Sequence, residues 1–313
     1  AAFTIAAVQE VLAAAPSARV LPVLRRGNVR GALSAGLAPR GGNDAAAILE
    51  AASNGKVGCL VLLGADPLSD VPDAGLARRA VSGARFVVAV DTFLSGSAQH
   101  ADVVLPAAAF GEKEGTTTNL EGRVSNVVQK ITPRGTSRAD WMIAAELMRM
   151  LGHDSGVTTL AQVQQMMSSS LGGFGAAVVS PEARRNGVLA PASFAPPSMT
   201  SPAAGPRSSY DFRLVVSRRL YDGAAGTANS PSLVGLAPGA SVTLHPLDAE
   251  RVGATEGSTV TVSASGSGVR LPVLCSDSVP RGVALVPFNQ PGDDIRSLLS
   301  RGNDITDVRI EAK

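Results

Sequence analysis

In the first half of the chain, apolar residues fall in short unbroken runs. Gly58–Leu63 (GCLVLL), Arg85–Val90 (RFVVAV) and Val103–Leu105 read as strands, as does Arg19–Leu24 (RVLPVL) nearer the start. Helical spacing of apolar positions separates them, over Asp44–Ser53, Ala74–Val81 and roughly Ser95–His100. The opening AAFTIAAVQEVLAAAP also carries an amphipathic helical pattern. Runs without alternation, divided by helices, predict a parallel sheet covered on both faces, a doubly wound α/β region. Loops at the carboxyl ends of such strands form the ligand crevice. Here those loops start at Gly64 and Asp91.

Phe110–Val128 reads as a polar loop rich in Gly and Thr. Asp140–Leu151 (DWMIAAELMRML) is an amphipathic helix stopped by Gly152, and Leu160–Leu171 predicts another. Periodicity is then lost across 172–209, which is loaded with Gly, Ala, Ser and Pro; 180–208 is expected to be loosely packed, with tryptic sites at Arg184, Arg185 and Arg207. From 210 onward the pattern turns to short β-branched runs: Arg213–Ser217, Ser241–Leu244, Thr259–Ala264, Val269–Cys275 and Val283–Pro287. A helix over Asp248–Val252, with Asp248 as its N-cap, interrupts them. Short strands punctuated by Gly and Pro predict a β-barrel. The expected organisation is therefore an α/β domain over 1–155, a helical segment and linker over 156–209, and a barrel over 210–313.

Composition narrows the function. The 313 residues are 45% hydrophobic, with 28 basic against 26 acidic residues. That is enough apolar mass for two cores and too little net charge for a dedicated nucleic-acid binder. Two cysteines, Cys59 and Cys275, are too few for an iron–sulfur cluster or a structural zinc, which take about four protein ligands. Both read as small core hydrophobes in a reducing compartment. His100, His153 and His245 have no partner at metal spacing, and no nucleophile elbow, P-loop or HExxH is present. There is no apolar run of about 18 residues, hence no membrane-inserted helix. With no initiating Met, the chain is expected to be part of a longer sequence.

Three segments concentrate binding chemistry. Gly64-Ala65-Asp66-Pro67 follows a buried strand: Gly64 would admit a close ligand and Asp66 would accept from a base or sugar, although Asp-Pro is also an ordinary turn. Asp91, again at a strand end, could accept from a guanine edge with Ser95 in support, or the segment could merely cap a helix. The stretch Gly111–Val124 holds Thr117, Asn119, Glu121 and Arg123, which can saturate a heterocycle or, as readily, one another.

The order GADP, DTFLSGSAQHADVVLP, EKEGTTTNLEGRV, with the tail LYDGAAGTANSP…VALVPFN, resembles the molybdopterin oxidoreductase superfamily. Within it, ADVVLPAAAFGEKEGTTTNLEGRV followed by RADWMIAAELMRMLG is similar to the family of G subunits of bacterial respiratory complex I, the NADH-quinone oxidoreductases. The resemblance implies a double-psi type of barrel. It implies a pterin-dinucleotide pocket at Gly64, Asp66, Pro67, Asp91, Ser95, Thr117, Asn119, Glu121 and Arg123, converging on one crevice. Asp66 stands where Asn is usual and Ser95 where Thr is common. The barrel's usual His-x-Gly-Thr-x-Thr-Arg is replaced by Gly223–Asn229, without the His and Arg. The expected pocket is therefore vestigial: no catalytic residue, no metal and no molybdopterin, with iron–sulfur clusters upstream. The expected role is structural, beside other peripheral-arm subunits on the cytoplasmic face of the inner membrane. Two alternatives remain at this point: a fragment of a true formate dehydrogenase or nitrate reductase-like molybdoenzyme, and a stand-alone nucleotide-binding module.

Overall fold

The computed structural model describes residues 2–312, apart from 16, 20, 22, 24–25, 40, 42, 191–210, 265, 293 and 300–304. Half of the expected strand at Arg19–Leu24 lies outside the described residues, and Arg19, Leu21 and Val23 are not in a strand; the expected loose segment from 191 to 208, with its tryptic site at Arg207, lies outside the described residues. In chain order come α1 (Ala2–Ala14), α2 (Val29–Ser34), α3 (Ala45–Ser53), β1 (Leu60–Leu63), α4 (Pro67–Asp70), α5 (Ala74–Gly83), β2 (Val87–Asp91) and β3 (Val103–Pro106). They are followed by β4 (Gly115–Thr118), β5 (Arg123–Val127), α6 (Asp140–Met150), α7 (Leu160–Ser170), α8 (Gly172–Val179) and β6 (Val188–Leu189). The last third holds β7 (Phe212–Ser217), α9 (Ala225–Ala228), β8 (Val242–Leu244), α10 (Pro246–Arg251), β9 (Thr259–Ala264), β10 (Ser267–Cys275), β11 (Val283–Pro287) and β12 (Asp307–Ala312). The fold is mixed α/β. β1, β2 and β3 form a sheet in that order, β4, β5 and β6 a second, and the remaining strands a closed barrel ordered β10-β8-β11-β7-β12-β9.

The chain forms two compact units. One comprises Ala1–Ile48, Val90–Thr92 and Val104–Ser201; the other comprises Leu49–Ala89, Phe93–Val103 and Pro202–Lys313. In the second unit the barrel core is built by period-two alternation. Val269, Leu271 and Val273 of β10 point inward while Arg270, Pro272 and Leu274 point out, and Val260 and Val262 of β9 stand opposite them. β8 and β7 run parallel to β10 and β11, and β9 and β12 close the ring antiparallel. β12 was missed in the sequence. Its DVRIEA buries only Val308 and Ile310, so its charged outer face masks the alternation.

Five sequence expectations need correction. Asp248 is not an N-cap: α10 begins at Pro246, and His245 Nδ1 accepts from Leu247 N as the cap. Asp248 instead lies 2% exposed inside the first turn, accepting from Gly282 N at 2.6 Å and Arg281 Nε at 3.1 Å. Cys59 is not a core residue. β1 alternates, burying Leu60 and Leu62 while Val61, Leu63 and, in phase with them, Cys59 are exposed. Phe110–Val128 is not all loop: β4 and β5 form an antiparallel hairpin, Thr117 facing Ser125 and Thr118 facing Val124. Thr is a good strand former, and Asn119–Gly122 makes the turn, with Gly122 at φ 90°. Residues 172–190 are not linker. Phe174, Ala177 and Val178 of α8 pack on Val124, Ala183 is buried, and β6 pairs with β5. The helix expected at Ser95–His100 shrinks to one 3₁₀ turn, Ala98–His100.

Candidate functional site

In the second unit, β1 ends at Leu63 and the chain turns through Gly64 at φ 55°, where a Cβ would meet nothing within 4 Å. Only glycine adopts that conformation without strain, so the turn into α4 is set by sequence. Pro67 then occupies the first helical position, where its missing N–H costs nothing. Asp66, just before it, is turned toward the 95–97 segment. Its Oδ1 accepts from Ser97 N at 3.0 Å and from Ser97 Oγ at 2.5 Å, and Ser97 Oγ in turn accepts from Leu68 N at 3.0 Å. Ser97 is fully buried. Ser95, expected from the sequence to support Asp91, is also buried, and its Oγ accepts from Ala98 N at 3.4 Å, a capping contact.

The α4 turn is held on its other side by barrel residues of the same unit, which sequence reading missed. Arg296 Nη1 donates to Leu68 O at 2.6 Å, and its Nη2 is 2.7 Å from Asp294 Oδ2. Asn289 Nδ2 donates to Ser69 Oγ at 3.2 Å. Arg218 lies 3.7 Å from Asp70 Oδ1 and 2.8 Å from Asp222 Oδ2, with its guanidinium 4.4 Å from the centre of the Phe288 ring. Asn289 has φ 53°, and its carbonyl accepts from Gly223 N at 2.6 Å. The Gly223–Asn229 stretch is thus anchored by Asn289 and by Asp222 Oδ1, which accepts from Ala224 N at 2.9 Å. The signal for these residues was faint: one Arg four positions before an Asp, and an Asn in a Phe-Asn-Gln-Pro turn, do not announce a shared neighbour far away in the sequence.

In the first unit, Asp91 closes β2. Its Oδ1 accepts from Thr92 N at 2.7 Å and its carbonyl from Ala107 N at 2.9 Å. Asn119 Oδ1 accepts from Arg123 N at 2.9 Å, closing the hairpin turn. Arg123 Nη1 donates to Gly187 O at 3.1 Å and Asn186 O at 3.4 Å, while its Nε is 3.8 Å from an exposed Glu121. Such an exposed pair contributes under about 1 kcal/mol. Thr117 stands on the hairpin face shared with Ser125 and Arg123. Thr118 Oγ1 and Asn126 Oδ1, which are buried without a hydrogen-bond partner, lie on the opposite face beside Val124. That face packs on α8, so those atoms turn away from Thr117 and Arg123. Gly64, Asp66, Pro67 and Ser95 therefore sit together in one unit, and Asp91, Thr117, Asn119, Glu121 and Arg123 in the other. Among the described residues, no group of three His, Cys, Asp or Glu side chains is placed to hold a metal ion. No described helix is long and apolar enough to cross a membrane.

Residues 12–150 match the molybdopterin oxidoreductase family model, and residues 212–311 match that of the molydopterin dinucleotide binding domain. NADPH-Fe(3+) oxidoreductase subunit alpha of Geobacter sulfurreducens is 28% identical over 93% of this chain and 37% of its own length. The G subunit of NADH-quinone oxidoreductase from Streptomyces coelicolor is 28% identical over 91% and 36%. A putative formate dehydrogenase of Bacillus subtilis is 30% identical over 79% and 28%. The chain thus spans about a third of the length of these curated relatives. Acetylene hydratase from Pelobacter acetylenicus superposes with a TM-score of 0.62 at 16% identity, covering 85% of this chain and 46% of that one, a likeness of fold.

Proposed function

We propose, from homologues that include the G subunit of NADH-quinone oxidoreductase and from two molybdopterin-oxidoreductase-type segments, that this region is the non-catalytic, structural part of such a protein. In this reading it serves electron transfer from NADH to quinone without a redox centre of its own. Iron–sulfur clusters in sequence upstream carry the electrons. The region packs against other peripheral-arm subunits of a translocase on the cytoplasmic face of the inner membrane. In this reading the loops bearing Gly64, Asp66, Pro67 and Ser95 in one unit, and Asp91, Thr117, Asn119, Glu121 and Arg123 in the other, are vestigial and take no pterin.

The observation that carries this reading is Asp66, whose Oδ1 already accepts from both donors of Ser97. The chemistry of the neighbouring groups agrees. A dinucleotide brings a phosphate pair, which needs free guanidinium, ammonium or backbone N–H groups. The two arginines beside the α4 turn, Arg218 and Arg296, are already paired with Asp222 and Asp294. Around that turn three carboxylates, of Asp70, Asp222 and Asp294, face those two guanidiniums, and a fourth, of Asp66, accepts from Ser97. The donor set does not suit a polyanion, and no step of chemistry is assigned to it.

The 30% identity to a putative formate dehydrogenase favours a second reading, a fragment of a true molybdoenzyme. Metal analysis of the intact protein decides between them. The structural reading expects iron and no molybdenum, and no paramagnetic signal from residues 1–313 alone. Stoichiometric molybdenum overturns it.

A further inference from the structure

We infer that Arg218 is the centre of a built-in bracket that clamps the β1–α4 turn to the barrel. The bracket lies wholly within the second unit, where three barrel segments reach one five-residue turn. Arg218 reaches Asp70, Asn289 reaches Ser69, and Arg296 reaches the Leu68 carbonyl. At the turn's other end Ser97 ties Asp66 and the Leu68 amide together. Each residue from Asp66 to Asp70, except Pro67, is thereby held by a side chain distant in sequence.

Arg218 is the member that a substitution exposes best. Its guanidinium is spread between two carboxylates and the face of Phe288, at 26% side-chain exposure. Asp222 is almost fully buried at 8%, and it also accepts from Ala224 N. Removing the arginine leaves that carboxylate without its cation in a site of low polarizability, which is far more costly than losing an exposed pair. The bracket also holds the start of the Gly223–Asn229 stretch, because Asn289 O accepts from Gly223 N and Asp222 Oδ1 from Ala224 N. The inference rests on the cofactor-free reading only in taking this turn as ligand-free.

The test is thermal unfolding of the 313-residue chain carrying Arg218→Ala, Arg218→Lys or the pair Arg218→Ala/Asp222→Asn, with hydrogen exchange followed at residues 68–70. Arg218→Ala should lower Tm by on the order of 5 °C. The double variant should recover a good part of that loss, because the uncompensated charge is gone while an amide oxygen still caps Ala224. Arg218→Lys keeps the charge but loses the two-carboxylate fork. It keeps the protein folded and should speed exchange at the amides of Leu68, Ser69 and Asp70. An unchanged Tm in Arg218→Ala, no recovery in the double variant, or unchanged exchange in Arg218→Lys would each overturn the bracket. None of these outcomes bears on molybdenum content, so the bracket and the cofactor-free reading can fail separately.

Discussion

At the scale of single residues, Asp248 shows how a buried charge is held. Burial pushes its pKa upward, but the Gly282 amide, the Arg281 hydrogen bond and the charges of Arg281 and Arg251 outweigh it and hold the carboxyl below its ordinary value. A carboxylate with a depressed folded pKa contributes stability above its unfolded pKa, and that contribution fades as pH falls through the folded value. Its share should thus be intact at pH 7 and lost in the acid range below about pH 4. Asp248→Ala should cost about 2–4 kcal/mol at neutral pH, since two arginines and a backbone donor lose their acceptor. Urea unfolding at pH 7 and pH 3 checks this: the gap between wild type and variant should narrow at the lower pH. Asp91 is a milder case, with one local bond to Thr92 N among its contacts. Asp91→Ala should change stability by only about 1 kcal/mol, measured in the same way. The identity of such residues as strand-end acids was legible in the sequence. Their partners were not: nothing near Asp66 marks Ser97 rather than Ser95 as its donor, because that choice depends on how the 95–97 turn folds.

At the scale of elements, patterning worked where one period ran unopposed. The helices Ala74–Gly83 and Leu160–Ser170 stand where helical spacing put them, and the strands at 259–264 and 283–287 where β-branched runs did. It failed where polarity hid the period, in the Thr-rich β4 and the charged β12, and where small residues hid it, in α8. An unbroken apolar run was also overread. GCLVLL suggested burial on both faces, yet β1 leaves Val61 and Leu63 more than half exposed. This alternation has a direct chemical readout. Cys59 is exposed, whereas Cys275 is partly covered and burial, with Glu256 beside it, pushes its thiol pKa up. The thiolate is the reactive form. Maleimide at pH 7 should therefore modify Cys59 well before Cys275, as peptide mapping by mass spectrometry would show. Equal rates would contradict the exposed face of β1. The packing of α8 and β6 carries a prediction of its own. Arg184 and Arg185 follow the buried Ala183, in a turn tied to Glu182 O, so trypsin should cut there slowly, against the expectation from composition.

At the scale of the whole molecule, the chain combines a mixed α/β part with a closed barrel, in segments that match the molybdopterin oxidoreductase and dinucleotide-binding family models. The fold class was readable because barrel and α/β patterns differ in period, and the order of three loop motifs tied them to a family. The partners of these polar loops were not readable, because a loop rich in Thr, Asn, Glu and Arg looks the same whether it faces a ligand or its own backbone. In the proposed reading these loops bind no nucleotide. Calorimetric titration of guanosine diphosphate into the 313-residue chain tests it most directly. The account predicts no saturable heat up to millimolar ligand, in wild type and Asp91→Ala alike; saturable binding at micromolar concentration, abolished by Asp91→Ala, would contradict it.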